Sequence, residues 1–169
     1  WKQYIRSGDE SVLALRFLQG WGTDAPRPFE LGGEDVGLNL LGFIFDGVQT
    51  GTFNRRDYTL RGYKEGLPQL RGRRVQKMTA EWRFPFQRVE RGIMTPPVGL
   101  MQWSGAVFAE AGAAYQDKPD IYYSSAGIEI NVDTNLFYLL NLRVRLGYAH
   151  GFDEFIGDDR FYLSLGAIF

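Results

Sequence analysis

Apolar and polar residues alternate with a period of two along most of this chain, the spacing that puts successive side chains on opposite faces of a strand. In the last segment Phe161, Leu163, Leu165, Ala167 and Phe169 share one face, opposite Tyr162, Ser164, Gly166 and Ile168. Before it, Leu140, Leu142, Val144, Leu146 and Tyr148 oppose Asn141, Arg143, Arg145 and Gly147. Ala126, Ile128, Ile130 and Val132 oppose Ser125, Gly127, Glu129, Asn131 and Asp133; Trp103, Val107, Ala109, Ala111 and Tyr115 oppose Gln102, Ser104, Phe108, Glu110 and Gly112. Met78, Ala80, Trp82, Phe84 and Phe86 oppose Lys77, Thr79, Glu81 and Arg83, and near the start Leu13, Leu15, Phe17 and Trp21 alternate with Ala14, Arg16 and Gly20. Helical periodicity is weak throughout. The spacing predicts about eight strands: Trp1 to Arg6, Val12 to Gly22, one between Phe29 and Leu60, Val75 to Gln87, Gln102 to Tyr115, Tyr122 to Val132, Leu139 to His150 and Arg160 to Phe169. The third is the least defined, because Gly32 to Asn54 is Gly-rich and apolar on both parities around Leu38 to Phe45.

Alternation of this kind fits a soluble antiparallel sandwich or barrel, and it fits a transmembrane barrel equally well. Two features favour the membrane. Ionisable residues sit in the middle of one face of several strands, as in a polar lumen. Aromatics recur near the ends of the apolar faces (Trp21, Phe84, Phe86, Trp103, Tyr115, Phe137, Tyr138, Tyr148, Phe161, Phe169), as in interfacial girdles. Connections also differ in character: Gln116 to Asp120 and Gly151 to Asp159 read as polar loops, whereas Asp133 to Asn135 reads as a tight turn.

Composition removes other classes without opposing this one. The best apolar run, Val36 to Phe45, is broken by Asn39 and Gly42, far short of the roughly 18 to 20 residues a membrane helix needs. A strand crosses with about 9 to 11 residues, only half of them apolar, so a negative mean hydropathy decides nothing. With 19 Lys and Arg against 20 Asp and Glu, no global basic field draws this chain to nucleic acid. No cysteine and a single histidine, His150, leave disulfide scaffolds, thiol chemistry and most metal or triad hydrolases without parts. No cofactor, metal or catalytic residue is predicted. A first residue Trp1 and no signal peptide suggest a segment of something longer.

Four local patterns stand in order. They are Leu60-Arg61-Gly62-Tyr63 in a Gly- and Arg-rich loop of about 46–74, Ala80-Glu81-Trp82-Arg83-Phe84-Pro85-Phe86, Phe108-Ala109-Glu110-Ala111-Gly112 followed by Tyr115, and a last strand ending in Phe169. Together they resemble the C-terminal half of the barrel of the BamA/TamA superfamily, the bacterial surface-antigen barrels that insert or translocate proteins at the outer membrane. The resemblance covers Val12 to Phe169. It implies that Arg61, Gly62 and Tyr63 form the tip of a loop folded back into the lumen, where Arg61 meets acidic residues on the next two strands, Glu81 and Glu110. Glu110 stands where the family usually has Asp, and Tyr115 replaces a common Trp. Both glutamates have lumen parity, and a guanidinium meets a carboxylate through a planar fork that lysine lacks. Gly62 permits a sharp bend beside it.

The resemblance further implies that 160–169 lies at the barrel's lateral seam. Phe161, Leu163, Leu165 and Phe169 there look like an assembly signal, and Gly166 is a point of bending. Eight strands alone would enclose an interior only wide enough for their own side chains. The chain is therefore expected to be half of a barrel of near sixteen strands, its N-terminal half and a periplasmic domain lying elsewhere. Its expected partners are outer-membrane lipid and lipopolysaccharide of a Gram-negative bacterium, or of a derived organelle outer membrane, and nascent outer-membrane or secreted clients. The alternatives are a barrel that anchors or secretes a fused domain, and a soluble β-barrel binding module.

Weaker signals remain. Gly20-Trp21-Gly22 mimics a dinucleotide fingerprint, but Pro26 and Pro28 stand where its helix would start. Arg71, Arg73 and Arg74 read as a solvated loop or as contacts to lipid phosphates or to the lumen wall, and Asp153, Glu154, Asp158 and Asp159 as solvated loop charge or a divalent-cation site. His150 reads as a strand-end residue near the headgroups, and there is no Gly-x-Ser-x-Gly elbow.

Overall fold

The computed structural model describes residues 1–8, 10–23, 28–33, 57–93, 98–136 and 140–167. The protein is all-β, and most of it is one antiparallel sheet. Its strands are β1 (Lys2–Arg6), β2 (Val12–Trp21), β6 (Arg74–Ile93), β7 (Val98–Tyr115), β8 (Tyr123–Leu136), β9 (Leu140–Gly151) and β10 (Asp159–Ala167), hydrogen-bonded in that order. Three short strands, β3 (Phe29–Leu31), β4 (Asp57–Tyr58) and β5 (Arg71–Gly72), form a second sheet in which β3 runs parallel to β4 and antiparallel to β5.

Seven strands in the main sheet, rather than about eight, is the first correction. Nothing between Phe29 and Leu60 joins it among the described residues, because β2 pairs directly with β6 from Val12↔Arg83 to Trp21↔Arg74. The described strands of that stretch, β3 and β4, belong to the small sheet instead. Most of the stretch, including Leu38 to Phe45, lies outside the described residues.

Three strands outrun their predicted limits for an identifiable reason. β6 continues past Gln87 to Ile93, and β7 begins at Val98 rather than Gln102. Their pairing shifts register between Pro85 and Gln87, between Arg88 and Arg91, and between Leu100 and Gln102. Each bulge resets the face on which alternate residues fall, so the period-two signal fades while the ladder goes on. Proline at the first bulge needs no ladder donor. The predicted turn at Asp133 to Asn135 is likewise strand: Arg143 holds Asp133 through two bonds of 2.6 and 2.8 Å, and Asn135 pairs with Asn141 at 2.9 Å. Polar residues that resembled turn chemistry are cross-strand partners.

The two faces differ as their residues require. Side chains from every main-sheet strand, among them Tyr4, Arg16, Glu81, Glu110, Glu129, Arg145 and Tyr162, line one pocket of about 240 Å³. This face is therefore the inside of a curved sheet. The opposite face leaves Met78, Trp82, Trp103, Val107, Ile128, Ile130, Leu146, Phe161 and Leu163 exposed, the last two at 82% and 56%. No second layer covers it among the described residues. The edges, β1 and β10, do not pair with each other, so these strands form an open, curved sheet.

The main apolar cluster sits at one end of the inner face. Phe29, Leu31, Leu60, Tyr63, Leu70, Val75 and Ala114 are buried together, with Leu18, Leu67, Tyr123 and Ile156 packed against them. It joins the small sheet and the 59–70 loop to the ends of β6 and β7, and that anchorage carries Arg61 onto the main sheet.

Candidate functional site

Arg61 follows Leu60, which is fully buried, so the backbone enters the curved sheet with its side chain directed at the wall. Its amide donates to Glu110 Oε2 at 3.1 Å and its Nη2 to Glu110 Oε1 at 2.7 Å, so one carboxylate holds both backbone and side chain. Nη1 donates to Glu129 Oε1 at 2.6 Å. The guanidinium carbon lies 3.3 Å from the centre of the Phe108 ring, a stacked cation–π contact. Burial opposes the charge on Arg61, and the Glu110 and Glu129 carboxylates more than offset that, raising its affinity for the proton.

Glu110 is shared. Lys77 Nζ lies 2.9 Å from its Oε1 and also bonds the Thr59 carbonyl, while Thr79 Oγ1 donates to the same oxygen at 3.3 Å. Glu81 plays a smaller part than expected: its Oε2 is 3.8 Å from Arg61 Nη2, and its close partner is Arg83, at 2.6 Å. Two cations, Arg61 and Lys77, thus meet two buried carboxylates, Glu110 and Glu129. Such a set tolerates burial because every charge has a partner, and losing one strands another.

The strand register explains the meeting. Glu110 pairs with Thr79 and Ser125, Phe108 with Glu81 and Gly127, and Glu129 with Ala106 and Gly147. Ala106, Gly127 and Gly147 leave the room that the guanidinium and neighbouring rings fill. A Cβ on Gly127 would lie 2.5 Å from the Phe108 ring.

Gly62 and Tyr63 fix the loop beyond Arg61. Gly62 has φ +87° and approaches β9 so closely that a Cβ would stand 2.7 Å from the Gly151 amide nitrogen. Its carbonyl accepts from the Asp158 amide at 3.0 Å. Tyr63 is fully buried, donates to the Ser124 carbonyl at 2.7 Å and meets Tyr123 edge-on with ring centres 5.8 Å apart. Burial raises the pKa of its hydroxyl, which stays a donor. Lys64 reaches Asp158 at 3.3 Å, so the loop is tied to the β9–β10 connection as well as to the sheet.

The structure therefore gathers Arg61, Gly62, Tyr63 and Glu110, with Glu81 at the margin. Gly112 stands one step along the inner face from Glu110, where a Cβ would come 3.4 Å from Leu31. Phe161 and Leu163 are on the outer face; Leu165 and Gly166 pair with Val144 and Arg143; Phe169 lies outside the described residues. Sequence reasoning put Glu129, Lys77, Phe108 and Tyr162 on the polar faces of their strands without making any of them a site residue. Parity alone carried a usable signal: all four share the face of Glu110, and Glu129 lies on the strand beyond it.

The weaker candidates resolve locally. Arg71 pairs with Glu30, Arg74 Nη1 donates to the Asp117 carbonyl at 2.9 Å, and Asp153 accepts the Phe155 and Ile156 amides, each at 3.0 Å, within a turn. His150 and Asp159 pair at 2.6 Å across β9 and β10. Among the described residues no cluster of His, Asp and Glu could hold a metal ion. The arrangement braces the loop against the sheet. No family model, curated protein or solved structure matches this chain.

Proposed function

We propose that this chain is the C-terminal half of a transmembrane β-barrel of the BamA/TamA type, near sixteen strands when complete, in the outer membrane of a Gram-negative bacterium. It inserts, assembles or translocates proteins there, with β10 at a lateral seam that offers its edge to a client strand. The observation that carries this reading is the opposition of the two faces: a charged inner wall on which a loop arginine is docked, and an apolar outer face left bare across the sheet. Lipid covers such a face at no cost, whereas water does not. β6 and β7, of 20 and 18 residues, exceed the roughly 9 to 11 that a tilted strand needs to cross hydrocarbon. The docked loop is what the resemblance implies for Arg61.

The functional part rests on what the resemblance implies for β10, a seam strand whose outer edge is exposed when the barrel opens. Backbone groups unpaired in hydrocarbon cost several kcal/mol each, so such an edge is a strong template for β-augmentation. Photo-crosslinking residues at positions 163 and 165 of the full-length protein are expected to capture unfolded barrel proteins in cells, from a species whose gel mobility shifts on heating. Heat-shifted protein without adducts would replace this activity with an anchor or pore role. A monodisperse protein soluble without detergent would overturn the membrane assignment.

A further inference from the structure

The Arg61 cluster reaches the terminal strand. Tyr162, on β10, turns to the inner face and donates its hydroxyl to Glu129 Oε1 at 2.5 Å, the same oxygen that accepts Arg61 Nη1 at 2.6 Å. Tyr162 and Glu129 are on strands separated by β9, and the ring spans it because the intervening residue is Gly147. Tyr162 pairs with Gly147, Gly147 pairs with Glu129, and a Cβ on Gly147 would lie 2.2 Å from the ring. All three polar partners are nearly enclosed: Arg61, Glu129 and Tyr162 are 8%, 7% and 8% exposed.

We infer that loop docking and the seating of β10 on β9 are coupled through the shared Glu129 oxygen, with Tyr162 as the positioning residue. Docked Arg61 orients the Glu129 carboxylate through Nη1, and in that orientation the same oxygen accepts the Tyr162 hydroxyl. When the loop withdraws, the carboxylate turns toward water and the arginines of the same wall, Arg83 and Arg145, and Tyr162 loses its anchor. β10 then keeps its ladder and the His150–Asp159 pair to β9 but loses its tie to β8. The inference deepens the proposed function, since it assigns control of the seam strand to the loop, and rests on that reading for its biological meaning. Coupling is reciprocal, so a change confined to Tyr162 must also be felt in the loop.

Hydrogen exchange on the full-length folded protein tests this with Tyr162→Phe, Arg61→Gln and the double variant. Tyr162→Phe keeps the ring and removes one bond to a charged acceptor, and is expected to speed exchange about tenfold in β10 and, by a smaller factor, at residues 60–63. The double variant should exchange in β10 no faster than the quicker single variant. Gly147→Ala, which displaces the ring and its hydroxyl without removing a polar group, should reproduce the Tyr162→Phe pattern. Faster exchange in β10 with the loop unchanged, or effects that multiply in the double variant, would overturn the coupling. Client capture at 163 and 165 is read separately, so a coupled strand that captures no client faults the proposed activity and leaves the coupling standing.

Discussion

Arg61→Glu will release the 59–70 loop from the curved sheet, and no other single substitution in the cluster is expected to do more damage. It removes the bonds to Glu110 and Glu129 and the stacking on Phe108, and it adds a carboxylate beside three others. Removing one partner of a buried pair costs about 3 to 5 kcal/mol, enough to turn a docked loop into a mostly undocked one. Surface-pair discounting does not apply, because the Arg61 side chain is only 9% exposed and that of Glu110 only 2%. Limited proteolysis reads the change directly: the wild-type loop is expected to resist cleavage at Lys64 and Arg71, and the variant to be cut there while the long strands stay intact. Arg61→Lys keeps the charge but loses the two-sided fork, so it should fall between them. Reversing the pair with Glu110→Arg is not expected to restore docking, because Lys77 Nζ lies 2.9 Å from the Glu110 carboxylate. A protease-resistant Arg61→Glu loop would mean that the ion cluster does not hold it.

Gly62→Ala should come close to the same outcome by adding one methyl group. At φ +87° a side chain strains the backbone, and here the Cβ would also press on the Gly151 nitrogen at 2.7 Å and the His150 carbonyl carbon at 3.0 Å. Neither obstacle can rotate aside, since both are backbone of β9. Strain and overpacking together are expected to cost about 2 to 5 kcal/mol. The Asp158 amide, bonded to the Gly62 carbonyl in the docked state, is the reporter: its exchange should quicken with the alanine. Tyr63→Phe, which loses only the bond to Ser124, should cost about 1 to 2 kcal/mol and leave the loop docked. Unchanged exchange at Asp158 in Gly62→Ala would show that the tip does not rest on β9 as described.

The fold was legible where a single physical rule governed the residues. Alternation located β2, β8, β9, β10 and the paired stretches of β6 and β7, because one face of each must differ from the other. It failed at Phe86 and beyond, where bulges reset parity, and at Asp133 to Asn135, where cross-strand partners have the composition of a turn. The site was legible through Arg61 and Glu110, whose residue types stand out in a motif. Glu129, Lys77 and Tyr162 were not, because their roles arise from the register of strands distant in sequence. Gly147 would have read as a weak point in a strand, yet it leaves the gap through which Tyr162 reaches Glu129.

The central claim is that the outer face meets lipid while the inner face holds water and the docked loop. This chain has no cysteine, so with any cysteine elsewhere in the full-length protein replaced, spin labels can be attached at single introduced cysteines from 126 to 132 and from 144 to 148 after reconstitution into vesicles. Labels at 128, 130, 132, 144 and 146 should be relaxed by oxygen from the bilayer, and those at 127, 129, 131, 145 and 147 should show low oxygen access, alternating residue by residue. Uniform access to a water-soluble relaxant along both strands, with no alternation, would contradict the account.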